Sequence, residues 1–159
     1  MRQTKELEKL WWDWLSTAER LLRSLYEQTA ALTLRDIARV ERIQPELDSM
    51  MALMAEIDGK AVECARELAE EKGCEPHLRA LVLALPKDEG MQLQAVANRV
   101  IVVGRNVQEV IAKNRRLIEN ELETVQGTMA VVAKEAVEQN QKYTSGKAKE
   151  ANVLVNQVA

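Results

Sequence analysis

Phenylalanine is absent from this 159-residue chain, proline occurs three times and glycine six times. Chain reversals draw heavily on glycine and proline, so few can be made, and a few long helices are favoured over many short strands. Cysteine occurs twice and histidine once. Two cysteines do not make a disulfide framework. No charge of one sign dominates: 22 basic residues stand against 25 acidic ones, for a net charge of −3. A nucleic-acid binder concentrates basic side chains on one face, because phosphate contacts supply most of its affinity. Here the signs are mixed along the chain and read as solvated helix surface, with no nucleic-acid partner. Long apolar runs are missing too. Leu81 to Leu85 and Val100 to Val103 fall far below the roughly 20 residues a spanning helix needs. Met1-Arg2-Gln3-Thr4-Lys5-Glu6 leads straight into an amphipathic pattern, without the apolar core and cleavage site of a signal peptide. The expectation is a cytoplasmic protein with no membrane insertion.

What is present is helical periodicity. The chain is 47% apolar and 30% charged, the balance of a folded helical domain. Leu7, Trp11, Trp14, Ala18, Leu21 and Leu25 recur in steps of four and three, which predicts a first helix over Lys5 to Gln28. Three of the five aromatics cluster there, as a bulky plug at one end of a bundle, with Trp12 off the seam as the member to expect in solvent. Thr33 and Asp36 have capping-box spacing and predict a second helix starting at Leu34. Its seam, Val40, Ile43, Leu47, Met50, Met54, Ile57, Ala61, Cys64 and Leu68, keeps phase across Pro45, which predicts a kink rather than a break. Met50 and Met54 are core fillers in this reading, and Gly73 caps the helix. Pro76 suits the first turn of a short helix carrying Leu78, Leu81, Val82 and Leu85, and Pro86 ends it. Lys87-Asp88-Glu89-Gly90 reads as a turn. From Met91 to Tyr143 no proline intervenes, which predicts the longest helix, with Asn114 as a lone polar residue on its seam. The fold class expected is all-α: an elongated antiparallel helical bundle or coiled coil of three long helices and one short one. The helical domain covers 1–143, and a flexible tail 144–159. That tail carries an apolar patch, Val153, Leu154, Val155 and Val158, too short for a helix stable by itself in water.

Catalysis needs a nucleophile, an activated base or a metal within mutual reach. With one histidine and no Gly-rich phosphate loop, no such set is legible, and no cofactor is expected. Cys64, Cys74 and His77 would make a three-ligand metal site. Against it, a closed zinc site takes four ligands, and Cys64 falls on the apolar seam, where a thiol acts as a small hydrophobe. The positive signal is geometric. At the standard rise the three long helices span about 36, 60 and 75 Å, so the last outruns the first while keeping its apolar stripe. A stripe that no internal helix covers fits an amphipathic partner helix, or the same stripe of a second copy in a homodimer.

Several segments resemble the FlgN family. They are Leu78-Arg79-Ala80-Leu81-Val82-Leu83-Ala84-Leu85-Pro86, Asn114-Arg115-Arg116-Leu117-Ile118-Glu119-Asn120-Glu121-Leu122, the Tyr143-Thr144-Ser145-Gly146 turn, and Val155-Asn156-Gln157-Val158-Ala159. Ile111 and Pro45 depart from the family's pattern. The resemblance implies a chaperone of flagellar type III export. Such a protein binds the carboxy-terminal helices of hook-associated junction proteins, prevents their early assembly and brings them to the cytosolic domain of the export gate. Carried onto this chain, the cargo groove comprises Leu117, Ile118, Leu122, Val125, Met129, Val132, Ala133, Ala136 and Val137, with Tyr143 as the export-gate contact.

Overall fold

The computed structural model describes residues 2–143, with side chains described through Gln141. Four helices follow in order: α1 (Arg2–Thr33), α2 (Ile37–Lys72), α3 (Leu78–Ala84) and α4 (Lys87–Tyr143). Among the described residues there is no strand, so the all-α expectation holds. The chain divides into two units, Met1–Asn114 and Arg115–Ala159. The expected tail lies outside the described residues.

In the first unit α1 and α2 form an antiparallel hairpin. Near the turn Arg39 Nε donates to Glu27 Oε1 at 3.3 Å, and at the far end Cys64 Sγ lies 3.5 Å from the Gln3 carbonyl oxygen. α4 runs parallel to α1. Leu93 shares a core with Leu7, the Arg99 guanidinium stands over Trp12, Trp14 packs beside Gly104, and Asn114 bonds Gln28. The short α3 is the crossover that makes this direction available. Two cores result. One joins Leu21, Leu25, Ile43, Leu47, Met50, Met54 and Val107; the other joins Leu7, Cys64, Leu68, Leu81, Leu85 and Leu93. Each fully buried leucine contributes about 1.5–3 kcal/mol by leaving water. Met50 and Met54 are buried and Met51 is exposed, as the seam requires.

The corners differ from the sequence reading in three places. α1 is longer than expected at both ends, so Thr33 is its last residue and not a cap of α2. Its hydroxyl donates back to the Thr29 carbonyl at 2.8 Å. Arg35 takes the left-handed conformation (φ 56°), the Arg35 amide bonds the Leu32 carbonyl, and the Asp36 amide bonds the Ala31 carbonyl. This is the double bond of a Schellman ending, built on arginine where glycine is usual. Asp36 alone caps α2, accepting from the Arg39 amide at 3.2 Å. Gly73 (φ 65°) closes α2 in the same way, as expected, with Cys74 bonded to Ala69. The second difference is at α3, where His77 is the N-cap and Pro76 precedes it; His77 Nδ1 accepts from the Ala80 amide at 3.3 Å. Third, Lys87 to Gly90 form the first turn of α4 and not a loop. Asp88 and Glu89 face the positive end of the helix dipole, which favours helix there. α2 passes Pro45 unbroken, with Pro45 on an exposed position and Ile43 and Leu47 buried on either side. The Glu41 carbonyl that the proline cannot serve is thus on the wet side of the helix.

Gly90 sets the α3–α4 corner. A Cβ there would stand 2.8 Å from the Val82 carbonyl oxygen, whereas one on Gly59 would meet nothing within 4 Å. Gly90→Ala is therefore expected to destabilise by about 1–3 kcal/mol, and Gly59→Ala to stabilise by about 0.5–1 kcal/mol. Urea unfolding monitored by circular dichroism measures both.

Candidate functional site

Asn114 is 2% exposed among apolar neighbours. Its Nδ2 donates to the Leu25 carbonyl at 3.0 Å and to Gln28 Oε1 at 2.8 Å, while the Thr29 hydroxyl lies 2.6 Å from its Oδ1. Gln28 Nε2 reaches Gln44 Oε1 at 3.3 Å, and Gln44 donates to Asp48 at 2.9 Å. A polar layer thus ties α4, α1 and α2 at one level. α1 ends at Thr33, about a turn and a half past Gln28. Among the described residues none beyond Asn114 is buried.

Apolar side chains nevertheless continue. In the second unit Ile118 is 39% exposed, Leu122 56%, Val125 47%, Met129 41% and Val132 59%. Steps of four, three, four and three put these five on one face of α4. Leu117, Ala133, Ala136 and Val137 are half-buried. The helix backbone brings all nine expected groove residues onto one element. Val131, 58% exposed, lies away from that face, off the seam that periodicity selects. Thr124 and Thr128 turn their hydroxyls to the carbonyls of Asn120 and Thr124, each at 2.9 Å, so these are satisfied within the helix. Tyr143 is the last residue of α4, and its side chain lies outside the described residues.

The first unit exposes smaller features. Trp11 and Trp14 pack against the cores while Trp12 is 44% exposed, with the Arg99 guanidinium 5.0 Å from its ring centre. That distance is within cation–π range. This patch joins α1 to α4 and could not be read from either helix alone. A cleft of about 240 Å³ opens between Trp11, Val62, Pro76 and Leu78. Among the exposed charges, Arg66 holds the Glu63 carboxyl below the usual range through a 2.5 Å hydrogen bond and its charge, and also pairs with Glu70. Exposed pairs of this kind add little stability.

The three residues weighed as metal ligands have other places. His77 caps α3, Cys64 is buried in the core, and Cys74 is half-buried at the end of α2. Burial, helped by the charges of Glu6 and Glu67, pushes the Cys64 thiol up from its ordinary value. Iodoacetamide at pH 8 is expected to label Cys74 well before Cys64, since attack needs an accessible thiolate; peptide mass spectrometry against time reads the order.

The polar layer and the ridge are expected to behave oppositely in stability. Asn114→Ala orphans buried groups on α1 and costs about 2–3 kcal/mol. Val125→Asp with Met129→Asp stays within about 1 kcal/mol, because both side chains already meet water. Thermal and urea unfolding distinguish the two.

The structure is thus an all-α protein whose longest helix carries exposed apolar side chains at helical spacing from Ile118 to Val132. Among known proteins, the family model described as FlgN protein matches residues 1–151. The chain belongs to the FlgN family. No curated protein and no solved structure matches it. FlgN proteins are flagellar export chaperones that bind hook-associated proteins, a chaperone family and not one of known enzymes. Among the described residues no helix is long and apolar enough to cross a membrane.

Proposed function

We propose that this chain acts in the cytoplasm as a carrier for hook-associated junction proteins. In this reading it holds their carboxy-terminal helical segments along the ridge from Leu117 to Val137 and presents them to the cytosolic domain of the flagellar export gate. The observation that carries it is the run of exposed apolar side chains at helical spacing on α4, from Ile118 to Val132. Such a face accepts an amphipathic helix through anchors at i, i+3 or i+4, and i+7. Holding those segments keeps them from pairing prematurely with their own assembly partners. Tyr143, at the end of the same helix, is the proposed gate contact.

Magnitudes favour a carrier over a permanent subunit. The ridge side chains are roughly half exposed, so covering six of them is worth about half of the full-burial value, about 5–9 kcal/mol in all. Association consumes about 4–15 kcal/mol. The ridge alone gives weak, reversible binding, and contacts outside it set the final affinity.

The test is a pull-down from a flagellated host with hook-associated proteins identified by mass spectrometry. Their recovery by the native chain, and its loss with Val125→Asp plus Met129→Asp, is the expected result. Undiminished recovery with that variant would place cargo elsewhere. A tight homodimer that the same substitutions dissolve, with no hook-associated protein captured, would reverse the reading in favour of a self-pairing coiled coil.

A further inference from the structure

Between Arg116 and Lys134, α4 runs for seventeen residues with three glutamates and no lysine or arginine. The ridge lies along this stretch. At about 100° per residue its exposed side chains from Ile118 to Val132 centre on one line, and Glu119 and Glu135 fall about 100° to either side of it. Both glutamates are exposed, and among the described residues no ion pair engages either. Lys134 falls on the far side of the helix, about 160° from the line. Arg115 borders the face but stands ahead of Ile118, where the ridge begins. We propose that the occupant of the ridge is an amphipathic helix whose apolar stripe is bordered by lysine and arginine. This rests on the helix-docking reading given above and adds the chemistry by which the ridge chooses among helices.

Apolar anchors at i, i+3 or i+4, and i+7 belong to every amphipathic helix, so they supply grip but little choice. Choice comes from the edges. A helix laid on the ridge sets its own shoulder residues beside Glu119 and Glu135, where opposite charge attracts and like charge repels. Lysine and arginine suit those shoulders, because their aliphatic stems cover apolar surface while the charged ends reach the wet rim. A helix with acidic shoulders meets its own sign at both edges. A second copy of this chain is disfavoured in the same way. Laid centre to centre in either direction, its ridge brings no shoulder cation opposite Glu119 or Glu135.

From Ile118 to Ala136 the face spans about 27 Å, which a partner helix of about 18 residues covers. Exposed ion pairs are individually weak and screened by salt. They therefore act on selection and on the rate of encounter more than on grip, and docking stays reversible.

Two synthetic helical peptides of about 18 residues test this, with identical apolar anchors and with either lysine or glutamate on both shoulders. Titrated onto the full chain at low salt, the lysine peptide is expected to bind about tenfold tighter. The gap should shrink to about twofold at about 0.5 M sodium chloride. Glu119→Lys with Glu135→Lys should abolish or invert the preference. Val125→Ser with Met129→Ser, which leaves the charge unchanged, should weaken the lysine peptide several-fold. Equal binding of the two peptides overturns the proposal, as does a preference that both pairs of substitutions leave intact. Hook-associated protein capture reads separately. Equal peptide binding, with capture still lost on Val125→Asp plus Met129→Asp, overturns the charge selection and keeps the cargo site. Peptides that discriminate as expected, with no hook-associated protein captured, refute the carrier reading and uphold the charge selection.

Discussion

A carboxamide buried among leucines and valines costs several kcal/mol unless its donors and acceptor are met, and Asn114 meets them almost entirely on α1. Its two N–H groups go to the Leu25 carbonyl and to Gln28, and its oxygen faces the Thr29 hydroxyl. Sliding α4 by one turn would break all three of these contacts. The polar layer therefore sets the register of α4 on α1 and marks the last buried residue of α4 among the described residues. Whatever apolar surface α4 carries past that level is not part of the core, and the ridge follows from that boundary.

The corner chemistry makes this arrangement reachable. α1 and α2 reverse in three residues because Arg35 accepts a left-handed conformation, at a steric cost of about 1–2 kcal/mol relative to glycine. The return from α2 to α4 is the harder problem, since α4 must run parallel to α1 on a neighbouring face. Gly73, the cap at His77 and the contact of Gly90 with the Val82 backbone together turn the chain through α3 in fourteen residues between α2 and α4. A side chain at Gly90 would push α3 and α4 apart. Leu81, Leu85 and Leu93 share one core at that corner, so the loss would be felt in packing as well as in geometry.

Much of this was legible in the order of residues. The seams of α1, α2 and the first half of α4 appear as buried or half-buried side chains where steps of three and four placed them, from Leu7 to Leu68 and from Leu93 to Asn114. The caps were read less well, for identifiable reasons. Thr-x-x-Asp spacing at Thr33 is ambiguous between opening one helix and closing another, and the Schellman ending on Arg35 lacks the glycine that usually announces it. Lys87 to Gly90 has the composition of a turn, yet it opens α4, and what matters at Gly90 is the missing Cβ that lets it lie against the Val82 backbone. The Trp12–Arg99 contact pairs residues far apart in the chain, and no local pattern encodes it.

The ridge is the point where local pattern and tertiary outcome separate. Periodicity alone cannot distinguish an apolar stripe that is core from one that is dock, because Val107 and Val125 belong to the same kind of repeat. One is 7% exposed and the other 47%. Val107 belongs to a core of the first unit, whereas no residue on α4 past Asn114 is buried among the described residues. A chaperone needs this division. If the bundle extended to cover the stripe, stability would rise and the site would vanish. In the reading proposed above, binding strength is limited by the same half-exposed state, since side chains already shielded by their own helix have only about half of their transfer energy left to give. In that reading the ridge holds a helix without keeping it, as a carrier that must surrender its load requires.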